Sequence, residues 1–453
     1  MRQLQDFTKG KIFSPLVQFA LPVLLTLFLQ TMYGAVDMMI VGQFATAADV
    51  SAVSTGSWLM QLVTSFVVGI AMGTTILLGR RIGEGNPEEA GKIIGASIIL
   101  FSIIGVCITV IMEVFAIPIA QIMQTPTEAF SATVEYLRIC SGGSLFIVAY
   151  NVLGSIFRGI GNSRMPLLTV SIACVFNIVG DYILVGVFHM ATAGAAIATV
   201  AAQAVSVLIS IVIIRKHPLP FRFSRKDIFF DSKRMGEIFR LGFPIAFQDL
   251  LVSISFLAIT AIVNTLGVIA SAGVGVAEKL CGFIMLVPSA FGQSMATFVS
   301  HNMGARQPKR ANRALAYGIG LSFGVGAIMA YLSFFHGDAL AAIFSKDPQV
   351  ILAAADYLKA YAIDCLFVSF LFCLIGYFNG RGKTLFVMIQ GIIGAFGVRI
   401  PVSLFMSKLV PVSLFQVGLA TPCSSFLQIL LCLGFFFFLS RKTDPFSEQS
   451  TYE

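Results

Sequence analysis

Charge is scarce in this chain. Only 11% of its residues are Asp, Glu, Lys or Arg, against about 25% in soluble domains, while 57% are hydrophobic. With a mean hydropathy of +0.89, a water-soluble globular protein is excluded. There are only four histidines. His189, His217, His301 and His336 fall in or near loops, far apart in sequence, and no HExxH or GxSxG is present, so no nucleophile–base pair or catalytic metal site is visible. The eight cysteines (Cys107, Cys140, Cys174, Cys281, Cys365, Cys373, Cys423 and Cys432) lack a CxxC or a histidine partner. They read as small buried hydrophobes, not disulfides or metal ligands. The stretch GRGKT at 380–384 is no Walker A loop, because Tyr377 stands where a glycine is required and no strand precedes it.

What fills the chain instead is long apolar runs. About twelve are long enough to cross a hydrocarbon core, at roughly 14–43, 51–78, 91–112, 127–155, 164–187, 192–214, 236–264, 270–299, 312–335, 351–378, 385–406 and 413–439. Runs of this length are helices, since a sheet edge or bare loop cannot face lipid. An all-α polytopic membrane protein is expected. The first run carries Gln30 and Asp37 and is too long and too polar for a cleaved signal peptide, so the first helix is expected to stay.

The net charge of +8 is distributed by side. If the first span enters from the cytoplasm, the inner loops hold Arg80, Arg81, Arg306, Lys309, Arg310, Arg313 and the basic connector 215–234 among others. The outer loops hold only Lys346 and Lys408. This is the positive-inside pattern with both termini cytoplasmic, and it removes the reason to read the charge as a nucleic-acid footprint.

The chain repeats itself. GRRIGEGNPEEA (79–90) aligns with SHNMGARQPKRA (300–311), YLRI at Tyr136 with YLKA at Tyr357, and FRGIGNS at Phe157 with FNGRGKT at Phe378, all at the single offset that carries Gly83 to Gly304. Each half then holds six spans in the same orientation, related by an axis along the membrane normal. The expected divisions are a first lobe at 1–214, a cytoplasmic linker at 215–235, a second lobe at 236–440 and a tail at 441–453.

One feature is not duplicated. In FNIVGDYILV (176–185), Asn177 and Asp181 are one helical turn apart in an otherwise apolar run, and the same offset places Val398 and Val402 opposite them. Asp37, in the first span, falls near Ala258 or Ile259, since the first span pairs Pro22 with Pro244. An aspartate near mid-membrane costs about 3 kcal/mol, so its retention in one half alone points to a task carried by that half. Thr199, in the small-residue run GAAIATVAAQ, adds a hydroxyl. Such oxygens suit a hard cation or a shared proton; packing groups, or pairing with Arg399 or Lys279, are the plain alternative.

The opening LVQFALPVLLTLFLQTMYGAVDMMIVGQF, the GRRIGEGNPEEA loop, FRGIGNSRMP and NIVGDYILV…GAAIAT together resemble the multidrug and toxic compound extrusion (MATE) transporters over roughly residues 12–440. The resemblance implies a prokaryotic-type cation site at Asp37, Asn177, Asp181 and Thr199, able to take H+ or Na+. It also implies a neighbouring substrate cavity at Gln30, Tyr33, Tyr136 and Asn151, and a first helix that bends at Pro22. Gln30, Tyr33 and Asp37 form one helical stripe by spacing alone. An acidic pair found in the second lobe of some members would fall on Val252 and Val368 and is expected to be absent. Asp249, Glu278 and Asp364 are left either to pair with Lys279 and Arg399 or to meet a cationic substrate.

The function so implied is secondary-active export of amphipathic, cationic organic compounds in exchange for H+ or Na+, without an enzymatic activity or a cofactor. The expected setting is a monomer in the plasma (inner) membrane, whose partners are small molecules and lipid. A lipid-linked oligosaccharide flippase of the same wider superfamily is the alternative.

Overall fold

The computed structural model describes residues 6–216, 221 and 223–442. Residues 217–220 and 222 of the expected linker, and 443–453 of the expected tail, lie outside the described residues. The chain is all-α, and no strand occurs among the described residues.

The first half runs α1 (Phe13–Phe44), α2 (Ala47–Gly83), α3 (Pro87–Ile122), α4 (Thr127–Gly142), α5 (Ser144–Gly159), α6 (Arg164–Asp181), a π-helical extension (Tyr182–Val187), and α7 (Ala191–Lys216). The second half runs α8 (Ser232–Asn264), α9 (Val268–Ile284), α10 (Leu286–Gly304), α11 (Pro308–Phe335), the short α12 (Gly337–Ala341), α13 (Pro348–Gly380) and α14 (Thr384–Ile392). A π-helical segment (Ile393–Arg399), α15 (Ile400–Met406), α16 (Leu414–Gly418) and α17 (Ala420–Lys442) complete it. Among the described residues, eleven helical stretches are long and apolar enough to span a membrane, and the bent pair α4–α5 makes the twelfth. The architecture is twelve spans in two sets of six.

The expected continuous span at 127–155 is instead broken at Gly143, where α4 and α5 meet at 54°. A Cβ on Gly143 would collide with the side chain of Val200, so α7 approaches the backbone at the corner. The third span is longer than its apolar run: α3 continues to Ile122 and takes in Glu113, which accepts a hydrogen bond from Ser141 Oγ at 2.7 Å. The start of α2 is fixed by a capping box. Thr46 N and Oγ1 both donate to Asp49, while Asp49 N donates back to Thr46 Oγ1. Thr192 Oγ1 donates to the other Asp49 oxygen at 2.9 Å, tying the start of α7 to the start of α2.

The chain divides into two compact units. Of the described residues, one unit comprises those up to Leu250 with Ala296–Ala314 and Gly380–Gly382; the other comprises Leu251–Met295, Leu315–Asn379 and the described residues from Lys383 onward. Within the first unit the two aligned loops of the repeat touch each other. A Cβ on Gly83 would strike the carbonyl oxygen of His301, and a Cβ on Gly304 would strike that of Arg80. The offset that sets Gly304 against Gly83 also sets His301 against Arg80, so each contact is the mate of the other under the repeat.

An N-terminal strap closes over the same place. Phe7 is fully buried, with its ring 5.1–5.3 Å from the rings of Phe19, Phe298 and His301. Arg310 donates to the carbonyls of Phe7, Lys9, Gly10 and Lys11, and Asn302 Nδ2 donates to that of Phe7. His301 lies near the end of α10, where it is buried and its Nε2 is 2.8 Å from Gly159 O.

Candidate functional site: a cluster of unpartnered oxygens

Helix α6 packs against α1 on one side and α7 on the other, which brings Asp37, Asn177, Asp181 and Thr199 into one place. Asp181 and Asn177 are 0% and 1% exposed, Asp37 is 6% exposed, and Thr199 is half-buried. Asn177 Nδ2 donates to Thr199 Oγ1 over 3.5 Å, which leaves the amide oxygen free. Asp37 and Asp181 are near enough for the charge on one to act on the other. None of the salt bridges among the described residues involves either acid.

Hydrogen bonding here is incomplete. Asp37 Oδ1, Asn177 Oδ1 and both carboxylate oxygens of Asp181 are buried without a partner. A native interior leaves few such atoms, and four of them on packed helices make this cluster the candidate binding site. Among the described residues no group of three or more His, Cys, Asp or Glu gathers as a metal site. What the cluster offers is two carboxylates, an amide oxygen and a hydroxyl, a donor set for a proton or a hard cation of low charge.

The residues expected around this cluster divide. Tyr33 and Tyr136 lie within electrostatic reach of Asp37. Tyr33 is hydrogen-bonded to Gln203, and Tyr136 OH lies 2.9 Å from Ser57 Oγ. Gln30 Nε2 instead donates to Tyr150 OH at 2.9 Å, linking α1 to α5. Asn151 is buried, but its amide is engaged by Ile147 O of its own helix, and no described contact ties it to the acids. Pro22 is buried inside an unbroken α1, and its carbonyl accepts a hydrogen bond from Thr26 Oγ1 at 2.7 Å. Sequence reasoning missed Gln203, Tyr150 and Ser57. Gln203 had a signal: it lies one turn beyond Thr199, in the same small-residue run.

In the second half, Asp249, Glu278 and Asp364 were expected either to form ion pairs or to meet a cationic substrate, and the structure bears on the last two. Glu278 accepts from Thr260 Oγ1 at 3.4 Å, and neither it nor Asp364 enters a salt bridge among the described residues. Asp249 lies on α8.

The MatE family profile matches the chain twice, at 22–183 and 244–405. The chain belongs to the MATE family. The two matches are equally long, and the first begins at Pro22 where the second begins at Pro244, so the duplication is that of the family's own repeating unit. This MATE chain is 26% identical to the probable multidrug resistance protein YoeA of Bacillus subtilis over 97% of its own length and 96% of the relative's. It is 25% identical to the multidrug export protein MepA of Staphylococcus haemolyticus over 86% and 87% of the two chains. In fold it resembles a MOP superfamily transporter from Pyrococcus furiosus, with a TM-score of 0.90, 20% identity, and coverage of 97% and 98%. Like other MATE proteins it is an efflux transporter of the membrane and not an enzyme.

Proposed function

We propose that this MATE protein is a secondary-active antiporter that expels amphipathic, cationic organic compounds, driven by entry of H+ or Na+ at Asp37, Asn177, Asp181 and Thr199. The observation that carries the reading is the set of four buried, unpartnered oxygens with no basic residue bonded to them. Two neighbouring carboxylates in low dielectric repel each other and lack solvation, so a cation arriving from water relieves both costs at once. Asp37 lies on α1 and Asp181 on α6, and ion occupancy therefore changes how strongly these two helices hold together.

Such a change couples two fluxes if the ion-filled and ion-free forms differ in substrate affinity, since a ligand shifts an equilibrium only through its differential binding. Pro22 gives α1 a weak point early in its apolar run, because it removes a backbone donor one turn after Gln18. Tyr33 and Tyr136 stand within electrostatic reach of Asp37 and are held by Gln203 and Ser57, and in this reading they form, with Gln30 and Asn151, the polar share of a substrate path in the first half. The basic inner loops support a plasma-membrane protein with both termini in the cytoplasm. The names of the multidrug relatives support a broad substrate range, and a monomer suffices, since the first half alone supplies the ion cluster.

The deciding experiment is transport of ethidium in vesicles that hold the purified protein, energised separately by a pH gradient and by a sodium gradient. One of the two is expected to drive uptake. If neither does, the antiport reading is wrong.

A further inference from the structure

In the second half, a buried guanidinium stands where the first half keeps its oxygens. Arg399, 6% exposed, directly follows Val398, the counterpart of Asn177 at the offset of the aligned loops, and stands for Asn177 itself in the register that sets Pro244 against Pro22. Its Nη1 donates to Ser255 Oγ at 3.0 Å and its Cζ lies 4.5 Å from the centre of the Phe256 ring. In the register that sets Pro244 of α8 against Pro22 of α1, Ser255 and Phe256 stand for Tyr33 and Gly34, one turn before the position of Asp37. In the same register Thr421 stands for Thr199, and it too is buried, with Oγ1 unpartnered.

Tyr361, Asp364 and Tyr357 lie within electrostatic reach of the guanidinium, whose Nε is buried without a hydrogen-bond partner. Asp364 is 1% exposed, is hydrogen-bonded to Ser425 and keeps Oδ1 unpartnered. It interacts with Arg399 through space, yet the pair forms no salt bridge within 4.0 Å among the described residues. Glu278 lies further round, beside Tyr357 and Thr260. The helix supplying Arg399 is wound as a π-helix over Ile393–Arg399, a local widening that commonly marks a functional position.

We propose that Arg399 is a tethered cation: it gives the second half permanently the positive charge that the first half takes from solution, and so confines ion binding and release to the first half. This rests on the ion-coupling reading of the Asp37 cluster and deepens it. A fixed charge cannot exchange with either side of the membrane. The second half therefore keeps Asp364 neutralised through the whole cycle, and one cluster sets the ion dependence of transport. Loss of the guanidinium would leave Asp364 as a buried carboxylate with the same need as Asp181.

The test is thermal melting in detergent of purified wild type, Arg399→Lys, Arg399→Gln, Asp364→Asn and the Arg399→Gln/Asp364→Asn double variant. Melting points are read against wild type under each condition. Arg399→Gln is expected to melt several degrees below wild type at alkaline pH without sodium, since a buried carboxylate is left with no cation near it. It should recover relative to wild type when sodium or protons are supplied. The double variant should recover without them, and Arg399→Lys should melt close to wild type. Retention of a fold is checked by elution in detergent; should Arg399→Gln fail to fold, recovery of folding in the double variant is the expected sign of the same pairing. A loss in Arg399→Gln that neither cations nor Asp364→Asn relieves would overturn the proposal and leave a packing role. Asp37→Asn and Asp181→Asn, run alongside, report separately on the first-half cluster.

Discussion

At the scale of the residue, the cost and the use of the site are the same thing. Asp181 is fully buried and neither of its oxygens has a partner, so the protein carries a destabilising group that a neutral side chain would remove. Asp181→Asn and Asp37→Asn should each reduce drug resistance in an efflux-deficient host to background with normal expression. The Asp181→Asn protein should melt in detergent no lower than wild type. Loss of resistance accompanied by a lower melting point would mean that the carboxylate serves packing. Thr199→Ala leaves all four unpartnered oxygens in place and should weaken coupling by only about tenfold, the loss of one ligand of several. The stripe of Gln30, Tyr33 and Asp37 and the one-turn spacing of Asn177 and Asp181 were legible beforehand because helical period fixes which residues share a face. That Gln30 reaches Tyr150, and Tyr136 reaches Ser57, was not, because a bond between helices depends on their rotation and height, which spacing along one chain does not encode.

Elements tell the same story one level up. Twelve apolar runs announced twelve spans, but the 54° corner at Gly143 is dictated by Val200 on α7, a residue far along the chain whose proximity no local pattern reveals. Glu113 was overlooked for a related reason: α3 continues past the end of its apolar run, and Ser141 satisfies the polar residue there. The capping box of α2 makes a simple test of how elements are pinned. Asp49→Ala removes the partner of both Thr46 and Thr192 and should destabilise the protein by about 1–2 kcal/mol, seen as a lowered melting temperature in detergent. Thr192→Ala, which leaves the cap intact, should cost less than half as much.

On the scale of the whole molecule, the duplicated chain repeats its joints but not its buried acids. Gly83 and Gly304 meet His301 and Arg80 in mated fashion, whereas Asn177 and Asp181 stand opposite Val398 and Val402, and Asp37 falls near Ala258 or Ile259. Gly83→Ala and Gly304→Ala should therefore act alike, each costing about 1–3 kcal/mol of stability or displacing the loops, because each drives a methyl group into a carbonyl. Unequal effects would show that the two contacts are not equivalent. The strap adds a one-sided element: Arg310→Ala removes the donor to the carbonyls of Lys9, Gly10 and Lys11, leaves that of Phe7 to Asn302 alone, and should expose the segment before α1 to protease without changing the elution profile in detergent.

The mated glycine contact also speaks of ancestry. Two loops that fit each other reciprocally form the kind of surface by which a protein joins a second copy of itself. A six-helix ancestor could have assembled as a homodimer through this patch before its gene was fused end to end. Once the copies were covalently joined, residues at the patch stayed bound to their counterparts, while those away from it were released to specialise. The present chain, severed in the basic connector and produced as two polypeptides, is thus expected to reassemble in the membrane into a working transporter.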